Sequence, residues 1–115
     1  MTRFQNGDRV LTLFNQTHIA GPIQRADLGS GLGGGIDGTL RQYGAFEESG
    51  LVKMPTTLDF KQGSTLPCAA VTAWNALYGI EGKSLKPGDT VLTQGTGGVS
   101  MFALQVRNLL YLHLV

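Results

Sequence analysis

Six of the ten residues in 29–38 are glycine, and this run constrains the fold more than any other stretch. Glycine loses more backbone freedom on ordering than any other residue, so a mobile loop is predicted there and no regular element. Glycine makes up 17 of the 115 residues, about twice the usual ~7%. Charged residues are 15% of the chain, against roughly 25% in an average soluble domain. With 42% hydrophobic residues the chain can form a core, but it lacks the charged shell of an independent small domain. It reads as an interior piece of something larger, with room for one domain and not for a complete two-domain enzyme.

The two sides of the glycine run differ in pattern. Before it, residues 9–14 (Arg-Val-Leu-Thr-Leu-Phe) follow the Gly7-Asp8 turn as a short β-rich run. After it, residues 39–46 and 51–54 carry β-prone residues broken by Gly44, Gly50 and Pro55, which predicts further short strands. From Thr56 the period changes. A single helical turn is expected within 58–63, and Pro67 stands where a helix begins, because its fixed φ suits the first position and its missing N–H costs nothing there. Gly79 ends that helix. Val71, Trp74 and Leu77 with Tyr78 recur at three-to-four spacing and predict its buried stripe, with Cys68, Thr72 and Asn75 on a more polar side. Lys86-Pro87-Gly88-Asp89 reads as a turn, residues 90–94 as a strand, and Val99, Phe102, Ala103, Val106 and Leu109/Leu110 repeat with helical period. The order is strand, glycine turn, helix.

Charge and cysteine content exclude several functions. Nine basic against eight acidic residues give a net charge of +1. The basic residues are scattered singly, so no nucleic-acid surface is predicted. The one cysteine, Cys68, has only His18 and His113 as further soft ligands, which gives no metal-site spacing and fits a reducing compartment. No secretory leader is read at residues 1–5, and no apolar run approaches the ~18 residues of a membrane helix. A cytoplasmic protein without membrane partners is expected.

Three glycine motifs compete. Gly29-Ser30-Gly31-Leu32-Gly33-Gly34 spells G-x-G-x-x-G, but no strand precedes it and no helix follows, so it is read as linker. Gly79-Ile80-Glu81-Gly82-Lys83-Ser84 hints at a phosphate-binding P-loop, yet Leu77 stands where the first glycine is needed, behind a helix and not a strand. Lys83 is then a solvated loop lysine. Gly95-Thr96-Gly97-Gly98-Val99-Ser100 departs from the strict spelling at Ser100 but has the right context. Gly95 permits a tight turn, Gly97 lets backbone approach a diphosphate, and the helix that follows presents its first N–H groups to the phosphates. The alternative, a tight connection with no ligand, stays open on these residues alone.

Four blocks together resemble the medium-chain dehydrogenase/reductase superfamily, nearest its zinc-independent quinone oxidoreductase-like and alcohol dehydrogenase-like members. They are Gly7-Asp8-Arg9-Val10, Asp37-Gly38-Thr39-Leu40-Arg41-Gln42-Tyr43, Leu66-Pro67-Cys68-Ala69-Ala70-Val71-Thr72-Ala73-Trp74-Asn75-Ala76-Leu77, and the run from Pro87 through Ser100. The resemblance covers roughly residues 7 to 105. It implies a mixed α/β chain, with a partial GroES-like β-barrel substrate domain in 1–55. Residues 56–115 would hold a connecting helix and the first βα unit of a truncated Rossmann domain.

The activity implied is hydride transfer between a nicotinamide cofactor, NADP with NAD as the alternative, and a small-molecule carbonyl, alcohol or quinone. Thr72 would lie near the nicotinamide end. Gly95 and Thr96 would belong to the cofactor-binding turn, and Gly97, Gly98 and Val99 would touch the diphosphate and ribose. Catalytic residues are not identified. Cys68 matches a cysteine of the family block and is expected to pack, with thiol reactivity left open.

Departures from the family are informative. The barrel's opening segment and the cysteine-rich structural zinc loop have no counterpart, which implies no zinc. No acidic residue follows Asp89 to act as a ribose ligand, and the run 108–115 drifts from the family pattern, as a truncated gene model would. His18 and His113 fit no catalytic slot and are expected at the surface or in packing. The competing expectation is a non-catalytic fragment, acting through exposed strand edges at 90–94 and an apolar tail at 109–115. Such a fragment would self-associate, a homodimer being one form, or dock onto a full-length relative.

Overall fold

The computed structural model of the chain describes residues 3–111, with side chains as far as Asn108. Helices and one small sheet mix along the sequence, in keeping with an α/β class. The chain divides into two compact units, Met1–Pro67 and Cys68–Val115. Among the described residues, no helix is long and apolar enough to cross a membrane.

In the first unit, β1 (Val10–Thr12) pairs antiparallel with β2 (Leu51–Lys53), with Leu11 opposite Val52. Both fall inside the runs expected from β-branched and apolar content. Two further backbone bonds extend the pairing: the Met54 N–H donates to the Arg9 carbonyl at 2.9 Å, and the Leu13 N–H to the Gly50 carbonyl at 2.8 Å. Met54, 5% exposed, is the buried apolar side chain of this unit. Helix α1 (Phe60–Gly63) supplies the helical turn expected within 58–63. Asp59 caps it: its carboxylate accepts from the Gln62 N–H at 2.7 Å, and the Gln62 side chain accepts in return from the Asp59 N–H at 3.0 Å. This reciprocal box satisfies two N–H groups that a helix start otherwise leaves unpaired.

The strand expected in 39–46 does not form. No neighbouring segment pairs with it among the described residues, and Leu40 and Tyr43 stand 105% and 89% exposed. The segment instead folds on itself. The Arg41 guanidinium lies 5.4 Å from the Phe46 ring centroid and 3.5 Å from the Asp37 carboxylate. Gly44 makes this possible, since a Cβ there would come within 2.7 Å of the Phe46 ring and 2.9 Å of Arg41 Nε. The glycine-rich run carries no strand or α-helix, but it is tied down. A 3-10 turn spans Asp27–Ser30, and isolated bridges join Asn15 to Gly31 and Leu32 to Ile36.

A π-helical turn, Leu66–Ala70, crosses the boundary between the units and runs into α2 (Val71–Tyr78) of the second, where α3 (Gly98–Tyr111) packs on α2. Pro67 sits in the first turn of this helical stretch and Gly79 follows its last residue, as expected. The buried face is a correction. Ala73 (0% exposed) and Ala103 (7%) are its buried apolar residues, whereas Val71 and Trp74 stand 59% and 57% exposed. Small residues let two helices approach closely, and Gly98 repeats the device: a Cβ there would lie 3.2 Å from the Ala69 Cβ. Val71 and Trp74 therefore face outward, while Leu77 and Tyr78 of the same stripe are half-buried, with the Trp74 and Tyr78 rings 4.9 Å apart between centroids. Cys68, Thr72 and Asn75 share an exposed side as the spacing predicts, so Cys68 is an exposed free thiol and not a packed one.

The second correction concerns residues 90–94, which form no strand. A strand exists only through hydrogen bonds to a neighbour, and among the described residues none is present. Of the apolar 109–115 tail, residues 112–115 lie outside the described residues, and His113 with them.

Candidate functional site

The turn leading into α3 is built by its backbone. Gly95 has φ +78°, a left-handed conformation that side-chain-bearing residues rarely adopt. Residues 95–97 bend and α3 begins at Gly98. The Gly97 carbonyl accepts the first helical bond, from the Met101 N–H at 3.0 Å. The N–H groups of Gly98, Val99 and Ser100 thus precede the first intrahelical donor, Met101, and have no intrahelical partner, at the end of the helix where the macrodipole is positive. Nothing lies within 4 Å of where a Cβ would stand on Gly95 or Gly97, so the turn's outer surface is open. Gly98 faces the other way, against Ala69.

Ser100 has a part that the spelling of the motif does not reveal. Its hydroxyl donates to the Gln94 carbonyl at 3.0 Å, tying the first turn of α3 back to the end of the 90–94 run. The sequence signal was a hydroxyl residue in the first helical turn, where side-chain-to-backbone bonds are common. What reads as an oversized substitute for glycine is a clasp on the loop.

Gly95, Thr96, Gly97, Gly98 and Val99 are therefore brought into one open turn, all exposed. Thr72 is placed on α2, one turn beyond Ala69, and is exposed. Its hydroxyl donates to the Cys68 carbonyl at 2.8 Å and is engaged with its own helix. No hydrogen bond links Thr72 to the turn among the described residues. Lys83 is an exposed loop lysine beside Gly82, whose φ is +73°. This is not the geometry of a phosphate loop behind a strand.

His18 lies 3.6 Å from the Asp27 carboxylate. Asp27 also accepts from the Gln24 N–H at 2.9 Å and the Thr17 hydroxyl at 2.8 Å. The Gln24 bond, then Thr17, then His18 hold the Asp27 carboxyl below its ordinary range. This cluster closes the loop around the Asp27–Ser30 turn, with the Ser30 hydroxyl donating to the Asp27 carbonyl at 2.7 Å. A cavity of about 420 Å³ in the same unit is lined by Leu32, Ile36, Asp37, Arg41 and Phe46 among others. Its Arg41 and Asp37 are already paired with each other. Among the described residues, no group of three or more His, Cys, Asp or Glu side chains could hold a metal ion.

Comparison with known proteins gives the context for the glycine turn. The chain is 45% identical over 102 residues to a zinc-type alcohol dehydrogenase-like protein of Schizosaccharomyces pombe, covering 89% of this chain and 30% of the relative. It is 32% identical over 78 residues to an alcohol dehydrogenase of Rhizobium meliloti, covering 68% and 22%. It is 36% identical over 72 residues to the human quinone oxidoreductase, covering 62% and 21%. The chain belongs to the medium-chain dehydrogenase/reductase superfamily. These relatives carry the names of oxidoreductases, and the family is nicotinamide-dependent. The chain spans less than a third of the length of these curated relatives. No family model matches the chain, and no solved structure matches it significantly.

Proposed function

We propose that the chain is a segment of a cytoplasmic, zinc-independent oxidoreductase that transfers hydride between NADP and a carbonyl, alcohol or quinone. Residues 1–55 would belong to a GroES-like substrate domain, and residues 56–115 to a connecting helix and the first βα unit of a Rossmann domain. The observation that carries the reading is the turn itself. A left-handed Gly95, an unobstructed Gly97 and the unpaired first N–H groups of a 14-residue helix form one exposed surface. Such a surface fits a diphosphate, which accepts hydrogen bonds from backbone N–H groups and is favoured by the helix dipole.

In this reading Gly95 sets the turn, Gly97 gives the phosphates access to main chain, and the Gly98 and Val99 N–H groups donate to phosphate oxygens. Ser100 holds the loop through Gln94, so the donors are ordered before the ligand arrives. Thr96 borders the site, and Thr72 stands on the neighbouring helix toward the nicotinamide end, its hydroxyl able to exchange the Cys68 carbonyl for the ligand. The cofactor supplies a hydride when bound. Productive transfer requires the nicotinamide to be held against the substrate carbon in a dry cleft, and one wall of such a cleft is what these residues would offer. Turnover by the 115-residue chain alone is therefore expected to be weak or nil.

The test is titration of the chain with NADPH and NADH, followed by cofactor fluorescence. Binding in the high-micromolar range is expected, with NADPH the tighter. Gly97→Phe should abolish binding while leaving the helical circular dichroism intact, because the new side chain enters open space. Binding that survives this substitution unchanged would overturn the assignment.

A further inference from the structure

We propose that Asn6-Gly7 is a site of spontaneous covalent modification, at which the folded chain converts Asn6 to isoaspartate through a cyclic imide. Asparagine occurs at positions 6, 15, 75 and 108, and of these Asn6 alone precedes a glycine. Residues 5–8 form a turn closed by the Asp8 N–H, which donates to the Gln5 carbonyl at 3.0 Å. Gly7 has φ +91° while Asn6 keeps out of the positive-φ region, the pattern of a type II turn. Both residues are exposed. Neither the Asn6 side-chain amide nor the Gly7 N–H has a hydrogen-bond partner among the described residues. Nothing lies within 4 Å of where a Cβ on Gly7 would stand, so the amide and the backbone nitrogen next to it can close a ring without a clash. The other three asparagines are held. The N–H after Asn15 donates to the Ser30 carbonyl at 3.1 Å, and Asn75 and Asn108 lie inside α2 and α3, followed by Ala76 and Leu109.

The chemistry needs water and no other reactant. The Gly7 backbone nitrogen attacks Asn6 Cγ, and the new N–Cγ bond closes a five-membered imide. The Cγ–Nδ2 bond breaks, and that nitrogen leaves as ammonia, taking the proton from the Gly7 N–H. Water then opens the imide. Opening at Cγ returns an ordinary aspartate, whereas opening at the main-chain carbonyl leaves the chain running through Cβ and Cγ, which is isoaspartate. Glycine at position 7 favours the first step because no side chain crowds the nitrogen and its backbone is the freest to rotate. The product bears on the fold. Isoaspartate adds a main-chain atom inside the ring that the Asp8–Gln5 bond closes, in the turn that leads into β1. It also adds a carboxylate near Asp8, whose own carboxylate accepts from the Gln5 N–H at 2.9 Å and lies 3.7 Å from Lys53 Nζ on β2.

The proposal does not rest on cofactor binding, and its test uses none. The full chain is held in mildly alkaline buffer at body temperature and sampled by peptide mapping with mass spectrometry, isoaspartate being separated from aspartate by chromatography. Amide-to-acid conversion at Asn6 should run at least ten times faster than at Asn15, Asn75 or Asn108, with isoaspartate the larger product. In guanidinium chloride the rate at Asn6 should stay within threefold of its native value, because the folded turn leaves it unprotected, while the rate at Asn75 rises as α2 melts. Gly7→Ala should slow conversion at Asn6 at least tenfold. The comparison between native and unfolded wild type needs no variant, so the test stands even if alanine disturbs this turn. Conversion at Asn6 less than ten times faster than at Asn75 in the native chain, more than threefold slower in the folded than in the unfolded chain, or yielding aspartate alone, overturns the proposal.

Discussion

Replacing Met54 with alanine removes the buried apolar side chain on which the first unit is assembled. Met54 is 5% exposed, its N–H bonds the Arg9 carbonyl just before β1, and Gly63 of α1 is pressed against it. A Cβ on Gly63 would stand 2.6 Å from Met54 Sδ and 3.2 Å from Leu11 Cδ2, so there is no spare volume at this point. Methionine-to-alanine changes in cores cost about 2–5 kcal/mol. The cluster under a two-stranded sheet is shallow and can partly collapse, which favours the lower end, about 2 kcal/mol. A core of this size supplies only about 3–5 kcal/mol in all, so the loss is a large fraction of the unit's stability. Hydrogen exchange reads it directly. Protection of the Met54 and Leu13 amides, both bonded across the β1–β2 ends, should fall about 30-fold, since each 1.4 kcal/mol is a factor of ten. Met54→Leu conserves volume and should cost less than about 1.5 kcal/mol. Protection within threefold of wild type in Met54→Ala would refute the assignment of Met54 as the centre of this unit.

Three further predictions follow from local geometry. Asp59→Ala breaks the capping box of α1 and should cost about 1 kcal/mol, seen as faster exchange at the Gln62 and Gly63 amides. Ala73→Leu forces α2 off α3 at a fully buried position and should cost about 1–3 kcal/mol, seen as a lower urea midpoint followed by Trp74 fluorescence. The Asp27 carboxyl is held below its ordinary value of 3.8 by Gln24, Thr17 and His18. Its contribution to stability is therefore fully present above that value and is lost as pH falls through the lower folded one. Thermal melts from pH 5 to pH 2 should decline more steeply for wild type than for Asp27→Asn.

Those parts of the fold that local chemistry decides were legible in the sequence. The period of Val99, Phe102, Ala103 and Val106 marks α3, and Pro67 and Gly79 bracket the helical stretch that contains α2. The β-branched runs around Val10 and Val52 locate β1 and β2. What sequence periodicity does not carry is which partner is present. Residues 39–46 and 90–94 have strand composition, yet a strand needs a second segment at hydrogen-bonding distance, and propensity is silent on that. The same holds for α2. Val71 and Trp74 announce a face that requires cover, but Ala73 and Ala69 accept the closer approach of α3 because they are small. At the candidate site the glycines were legible from their spacing, while the Ser100 clasp on Gln94 depends on a turn geometry that spelling does not specify.

The most direct test of the central claim is an amide-resolved NMR titration of the isotope-labelled chain with NADPH. Saturable shifts concentrated at the amides of Gly97, Gly98 and Val99, absent in Gly97→Phe, are the predicted result. Shifts that gather elsewhere, or none at millimolar NADPH, would contradict the reading of this turn as a dinucleotide site.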